Sequence, residues 1–445
     1  MSPTNFLKHL FGTVLKPDER ARAQRQARQA ANLCRSLMSE RGEVSGAALA
    51  REALALIESL PPAALEALFD VLVADFSPDP AAVLAAAEAY RDDPSQEHLI
   101  RLQEVVEPPR QELFRRLNMA PGGTAALVAI RQRLLVAIGE RPEWRGIDAD
   151  LAHLLASWFN RGFLTLERID WHTPAIVLEK LIRYEAVHAI KGWGDLHRRL
   201  EKDRRCFAFF HPALPDEPLI FIEVALTRGL AASVQPLIEP DAPILDPQSA
   251  DAAIFYSITN CQDGLRGVSF GNLLIKQVAQ ELGRELPRLK QFATLSPVPG
   301  FRAWLATARE SIAATPRGGE LLASLKLLER ADWYEDAAAV RELEPQLMAL
   351  CAHYLVNVKR GNEPVDAVAR FHLGNGARME RLNWLADRSK AGMQRSAGMM
   401  VNYLYRIADV ESNHEAYVGE HKVVASAELR RLARDCPLAA RSARG

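Results

Sequence analysis

The chain lacks an excess of charge of either sign: 55 Lys and Arg face 56 Asp and Glu, a net charge of -1 and a pI near 6.9. No global electrostatic case for a nucleic-acid or anionic-membrane partner follows from that balance. Apolar runs long enough to span a bilayer are missing as well. Met1 to Gly12 carries a few apolar residues without a sustained hydrophobic region, and Arg441 to Gly445 is not a Ser-Lys-Leu address. Cysteine is scarce and odd in number. Cys34, Cys206, Cys261, Cys351 and Cys436 form no C-x-x-C pair, which argues against a zinc ribbon or a disulfide framework and for a reducing compartment. No H-E-x-x-H or comparable ligand cluster occurs, so no metal site is expected. What remains is a cytoplasmic protein of 445 residues, 48% hydrophobic, long enough for two domains.

From Asp18 to about Arg168 the residues are Ala, Leu, Glu and Arg, with few Ile, Thr or Tyr, a helix-favouring composition. Breakers at Pro61-Pro62, Ser77 to Pro80, Asp93-Pro94, Pro108-Pro109, Pro121 to Gly123 and Arg141-Pro142 cut it into about seven or eight helices. Asp79 before Pro80 reads as a cap, and Leu65, Leu68, Phe69 and Leu72 form an apolar stripe at helical spacing. The basic run Arg20 to Arg28 reads as a solvated helix face. Residues 1–167 are expected to be an all-α bundle serving interaction and oligomerisation.

The texture changes near Phe163, and residues 168–445 read as an α+β domain. Cys206 to Phe210 and Leu219 to Thr227 look like an antiparallel hairpin around the proline-rich turn His211 to Pro218. Ile254 to Ile258 is a third strand, a glycine-punctuated loop follows, and Leu274, Val278 and Leu282 then recur at helical spacing. Phe292 to Leu295 is a fourth strand. Beyond Phe301 the chain returns to helix, with a loop from Pro364 to Ala377 and helical stretches at Arg381 to Asp387 and Met399 to Tyr405. The glycine loop lacks the Lys-Ser/Thr of a Walker loop and the spacing of a dinucleotide fingerprint. Taken alone it reads first as an ordinary strand-to-helix turn. Arg266-Gly267-Val268-Ser269-Phe270-Gly271 does resemble the R/Q-x-x-G-x-G/A pyrophosphate loop of the GNAT acyltransferases, with Ser269 at the usual middle glycine.

Several motifs then occur together: His211-Pro212, Ala253 to Ile258, Gln262-x-Gly264-Leu265-x-Gly267-Val268-x-x-Gly271-x-Leu273-Leu274-Ile275-Lys276, Leu295-Ser296-Pro297-x-Pro299-Gly300-Phe301, Phe371-His372-Leu373-x-Asn375-Gly376-Ala377, Asn383-Trp384-x-Ala386-Asp387 and Asn402-Tyr403-x-Tyr405. In this set and order the chain resembles the malonyl-CoA decarboxylases from about Phe163 to Tyr405. The resemblance implies a helical domain followed by a GNAT-like catalytic domain with additional helices, and decarboxylation of malonyl-CoA to acetyl-CoA and CO2. It implies dimers or tetramers through the helical domain, and no cofactor beyond the coenzyme A thioester of the substrate. Animal members of the family carry a glutamate where this chain has Ser269, and they end in a peroxisomal signal; a bacterial-type cytoplasmic form is expected.

By resemblance, Ser296 and His372 are the catalytic pair, His372 the proton donor. On residue type alone Ser296 is a turn or cap residue, and His372 a half-buried histidine set in a loop. His211 is a chemical competitor placed in a hairpin turn. Arg266, Gly267, Val268, Ser269, Phe270, Gly271 and Asn272 are expected to hold the pyrophosphate through backbone N–H groups. Ser257, Asn375 and Tyr405 are further candidates, each equally explained by strand surface, turn or helix packing. A GNAT-type acyltransferase and a non-catalytic acyl-CoA-binding regulator are the alternatives.

Overall fold

The computed structural model describes residues 17–39, 43–268 and 274–439. By contacts the chain forms two compact units. The first comprises Met1–Leu164, His211–Pro215 and Gln262–Phe270, and the second the remainder, so two later pieces of chain complete the helical unit. The main cut falls at Leu164, three residues before the composition-based boundary at 167.

Among the described residues, the helical unit contains eight α-helices: α1 (Pro17–Ser39), α2 (Glu43–Ser59), α3 (Pro62–Asp75), α4 (Pro80–Asp92), α5 (Gln96–Val106), α6 (Pro109–Asn118), α7 (Gly123–Ala137) and α8 (Arg145–Trp158). Proline begins α1, α3, α4 and α6, where its missing N–H leaves no intrahelical bond unmade. Asp79 caps α4 by accepting from the Ala81 N–H at 3.0 Å. The stripe Leu65, Leu68, Phe69 and Leu72 is buried, while Arg20, Arg22, Arg25 and Arg28 stand in solvent. Trp144 is fully buried, edge-on to Phe69 at 5.2 Å, with its indole N–H donating to Asp70 at 2.9 Å.

The second unit is built on an eight-stranded mixed sheet. Its strands are β1 (Thr165–Ile169), β2 (Arg204–Phe210), β3 (Ile220–Thr227), β4 (Ala252–Asn260), β5 (Gln291–Thr294), β6 (Ser296–Pro297), β9 (Arg378–Asn383) and β10 (Met400–Leu404). They lie in the order β1-β2-β3-β4-β5-β10-β6, with β9 on β10; β7 (Lys359–Arg360) and β8 (Glu363–Pro364) form a separate hairpin. The expected β2–β3 hairpin is present, with Phe207 opposite Ile222. Helices α9 (Ala175–Tyr184) and α10 (Trp193–Arg199) precede β2; β4 runs antiparallel to β3 and parallel to β5, joined to β5 through α11 (Leu274–Glu285). A parallel neighbour requires such a crossover. This strand–loop–helix–strand order is the GNAT-like one expected.

Two expectations are corrected. Residues 378–383 and 400–404 are strands β9 and β10, not helix. Val401, Tyr403 and the apolar residues around them pack within a central strand bonded on both edges, and that pairing overrides local helix propensity. The segment carrying His372 is not a loop but a helix, Ala367–Gly374, capped by Asp366 through the Ala369 N–H at 2.8 Å.

Candidate active site

The pairing of β4 with β5 stops at Phe255 opposite Thr294. Beyond that point β4 continues to Asn260, while the chain after β5 turns away to pair Ser296 with Val401 of β10. A cavity of about 270 Å³ lies at this parting. It is lined by Tyr256, Ile258 and Asn260 of β4, Ser296 and Pro297, Val187, Phe255, and the helix α13 residues Ala367, Val368, Phe371 and His372 (α12 being Ala337–Asn357, α13 Ala367–Gly374). No charged side chain is among them.

Ser296 and His372, 76 residues apart, meet in this wall: Ser296 Oγ and His372 Nε2 are 2.9 Å apart. The other ring nitrogen, Nδ1, lies 2.8 Å from the Tyr405 hydroxyl. Ser296 Oγ donates to Thr294 Oγ1 at 2.9 Å. With Ser296 donating onward, the consistent assignment has Nε2–H donating to Ser296 and Tyr405 donating to Nδ1. Tyr403 stacks on the imidazole at 4.4 Å. Thr294 and Ser296 are two apart along an extended chain, as are Tyr403 and Tyr405, so each pair shares a face. Burial, with no carboxylate beside it, pushes His372 down to about 3, and the ring is neutral. Burial likewise pushes the Tyr405 hydroxyl well above its ordinary value.

The other sequence candidates fall elsewhere. Ser257 turns from the cavity and donates to the Glu185 carboxylate, at 2.9 and 2.8 Å from its two oxygens. The same carboxylate accepts the Val187 and His188 N–H groups, both at 2.7 Å. Glu185 thereby ties the segment that presents Val187 to β4, a role its sequence context does not announce. Asn375 closes α13, its side-chain amide donating to the Phe371 carbonyl at 2.8 Å. His211 packs against Phe159 at 4.6 Å within the helical unit. Of the glycine loop, Arg266 and Gly267 are exposed, Gly267 has φ +82°, and Val268 is buried. Ser269, Phe270, Gly271 and Asn272 lie outside the described residues. Thr294 and Tyr403 were not among the candidate site residues, although Tyr403 stood in a quoted motif; the period-two spacing with Ser296 and Tyr405 was the available signal.

Fold and pocket together define an α+β protein with a buried hydroxyl–imidazole–hydroxyl chain, a site suited to proton transfer. Residues 162–443 match the malonyl-CoA decarboxylase C-terminal domain and residues 76–159 the N-terminal domain of the same family. The chain is similar to the crystal structure of malonyl-CoA decarboxylase from Rhodopseudomonas palustris, with 48% identity and a TM-score of 0.87 over 91% of this chain and 99% of that one. A malonyl-CoA decarboxylase structure from Cupriavidus metallidurans aligns at 37% identity and a TM-score of 0.71, covering 92% and 100% of the two chains. The mitochondrial malonyl-CoA decarboxylase of Anser anser anser is 37% identical over 386 residues, 80% of this chain and 75% of that protein. The chain belongs to the malonyl-CoA decarboxylase family, whose members are carboxy-lyases. No helix among the described residues is long and apolar enough to cross a membrane.

Proposed function

We propose that this chain decarboxylates malonyl-CoA to acetyl-CoA and CO2, with Ser296 and His372 in contact with the acyl group. The observation that carries this reading is the Ser296–His372–Tyr405 chain opening onto a cavity without a charged lining residue. In the reaction the electron pair of the C–C bond passes to the thioester enolate as CO2 leaves, and one proton then adds to the α-carbon. A carboxylate stripped of water between Phe255, Ile258 and Val368 is penalised more than the transition state, whose charge is spread. The substrate carboxylate also raises the proton affinity of the imidazole it approaches. His372 thus takes up one proton from solvent on binding to become imidazolium, gives its Nε2 proton to the α-carbon, and is left as the neutral Nδ1–H tautomer, which exchanges with solvent back to the resting Nε2–H form. The Tyr405 hydroxyl serves both states, donating to Nδ1 of the neutral ring and accepting from Nδ1–H of the cation. Ser296 orients the carboxylate through its hydroxyl.

The coenzyme arm is read in the same terms. The edge of β4 beyond Phe255 offers backbone groups to an extended, amide-bearing chain such as pantetheine. Arg266 to Asn272 is the proposed seat of the pyrophosphate, the exposed Gly267 permitting close approach of backbone to ligand. The test is incubation with malonyl-CoA and no amine acceptor, following acetyl-CoA and CO2, with His372→Ala and Ser296→Ala alongside. Turnover by the native protein and its sharp loss in both variants, with coenzyme A binding intact, is the expected result. A folded, coenzyme-binding protein that releases no acetyl-CoA overturns the reading in favour of acyl transfer or regulation.

A further inference from the structure

Thr294 ends β5, two residues before Ser296, and is fully buried at 0% exposure. Its backbone carbonyl accepts from the Asn402 side-chain amide at 2.9 Å, and its Oγ1 accepts from the Tyr403 N–H at 3.3 Å. Both donors belong to β10, the neighbouring strand. Oγ1 is thus held by the main chain of a central strand, and it also takes the Ser296 proton at 2.9 Å. Two donors aimed at one hydroxyl oxygen use both of its lone pairs. Thr294 is not among the residues that line the cavity, so it acts on a substrate only through Ser296.

A serine hydroxyl has a single proton. While that proton lies on Thr294, Ser296 can only accept from the ring nitrogen 2.9 Å away, which puts the hydrogen of the imidazole on Nε2. Burial keeps the ring neutral, so it carries that one hydrogen alone. Nδ1 is then bare and accepts the Tyr405 proton at 2.8 Å. The opposite tautomer breaks the pattern at both ends. It turns the Ser296 proton onto Nε2 and deprives Thr294 of a donor. It also sets the Tyr405 proton against Nδ1–H, and that phenol has no other hydrogen-bond partner among the described residues.

We propose that Thr294 is a positioning residue that sets the tautomer of His372 by holding the Ser296 proton away from the ring. The proposal rests on the reading of Ser296 and His372 as the groups in contact with the acyl chain, and it deepens that reading. Donation to the α-carbon leaves the ring in its Nδ1–H form, so each turnover ends in the tautomer that cannot begin the next. By drawing the Ser296 proton back, Thr294 favours the return to Nε2–H. Nδ1 gives up one proton and Nε2 takes up one, with solvent as carrier. The same contact parks the Ser296 proton a single torsion from the substrate: rotation about Cβ–Oγ moves it from Thr294 to the carboxylate with no heavy atom displaced.

The test reads the tautomer directly. Protein isotopically labelled in its histidine nitrogens is compared by NMR as native, Thr294→Val and Thr294→Ser, with the His372 signals identified by their absence from His372→Gln. Valine has the shape of threonine without the hydroxyl, and serine keeps the acceptor. Leaving the Tyr403 N–H unpaired lowers the stability of Thr294→Val, but that loss alone does not move a ring proton. The expected result is an Nε2–H ring in the native protein and in Thr294→Ser, and a shift toward Nδ1–H in Thr294→Val. On malonyl-CoA, kcat falls about tenfold in Thr294→Val with KM within about twofold, and Thr294→Ser largely restores it. A native ring protonated on Nδ1 overturns the proposal. So does an Nε2–H ring that persists in Thr294→Val, or a shifted tautomer with native kcat. If Thr294→Val does not fold, Thr294→Ala is read in its place by the same criteria. Failure of the native protein to decarboxylate malonyl-CoA would refute the reaction assigned above, while the ring spectra still decide whether Thr294 sets the tautomer.

Discussion

At Tyr405 a single hydroxyl faces the ring nitrogen of His372 that points away from Ser296. Its removal leaves Nδ1 of a fully buried imidazole facing the space the oxygen filled. A hydrogen bond to a charged group contributes about 1.5–3 kcal/mol, so Tyr405→Phe is expected to lower kcat about ten- to a hundredfold with little change in KM. The variant also has a distinguishing signature. Losing the acceptor for Nδ1–H disfavours the imidazolium, so the alkaline limb of the kcat profile shifts to lower pH. A kcat within twofold of native, or an unmoved limb, would show that the phenol only packs. At this scale the sequence was partly legible. Ser296 and His372 were found through a set of motifs, and Tyr405 was named among weaker candidates. Arg131 of α7, whose guanidinium donates to the backbone carbonyls of Gly264 at 2.7 Å and Arg266 at 2.9 Å, was invisible, since nothing in Ile130-Arg131-Gln132 separates it from the many other arginines of the helical half. Its meaning lies in two carbonyls 133 and 135 residues further along the chain.

At the scale of elements, the placement of His372 depends on the short helix α13 and on what fixes its start. The Asp366 carboxylate caps it, and the Tyr354 hydroxyl donates to the same carboxylate at 3.4 Å. Gly300 leaves no room for a side chain beside that pair, because a Cβ there would stand 2.3 Å from the Tyr354 oxygen. Asp366→Ala is expected to cost about 1 kcal/mol in stability, the usual value of an N-cap. It should also reduce kcat, since the first turn of α13 then frays next to the cavity. Chemical denaturation alongside kinetics checks both, and unchanged turnover in a destabilised variant would separate the cap from the chemistry. The same helix explains an error of reading. Breakers at Pro364, Gly374 and Gly376 made the segment look like loop, although Asp366 before Ala-Val-Ala is a cap signal in its own right. For β10 the difficulty was different. Met399 to Tyr405 carries no strict alternation, and its strand character comes from pairing with residues about a hundred positions earlier, among them Val401 with Ser296. The third strand was readable because Ile254 to Ile258 is β-branched and aromatic at every position but Ser257.

Across the whole molecule, burial of histidines sets the response to acid. Burial pushes His372 to about 3 and His188 to about 4, and lowers His353 as well. The unfolded chain has these groups near 6.5. Below that pH the unfolded state takes up protons the folded state refuses, so stability falls as pH drops from about 6.5 toward 4. Asp203 and Glu285, held down chiefly by their arginine partners, contribute with the same sign over the carboxylate range. The expectation is a Tm that declines steadily from pH 7 to pH 4.5. His372→Gln should flatten the decline while abolishing turnover. A Tm that rises on mild acidification would refute the argument.

The non-contiguous make-up of the helical unit has a consequence in time. Arg131 leaves the ribosome 133 residues ahead of the Gly264 carbonyl to which it donates. At elongation rates of about 5–20 residues per second, that is a wait of roughly 7 to 27 seconds. Throughout it the Arg131 guanidinium can have its Asp148 partner but not the two carbonyls. The first half of the polypeptide therefore cannot finish folding as it is made; its last piece is delivered only after β1 to β4, half of the eight-stranded sheet, have been translated.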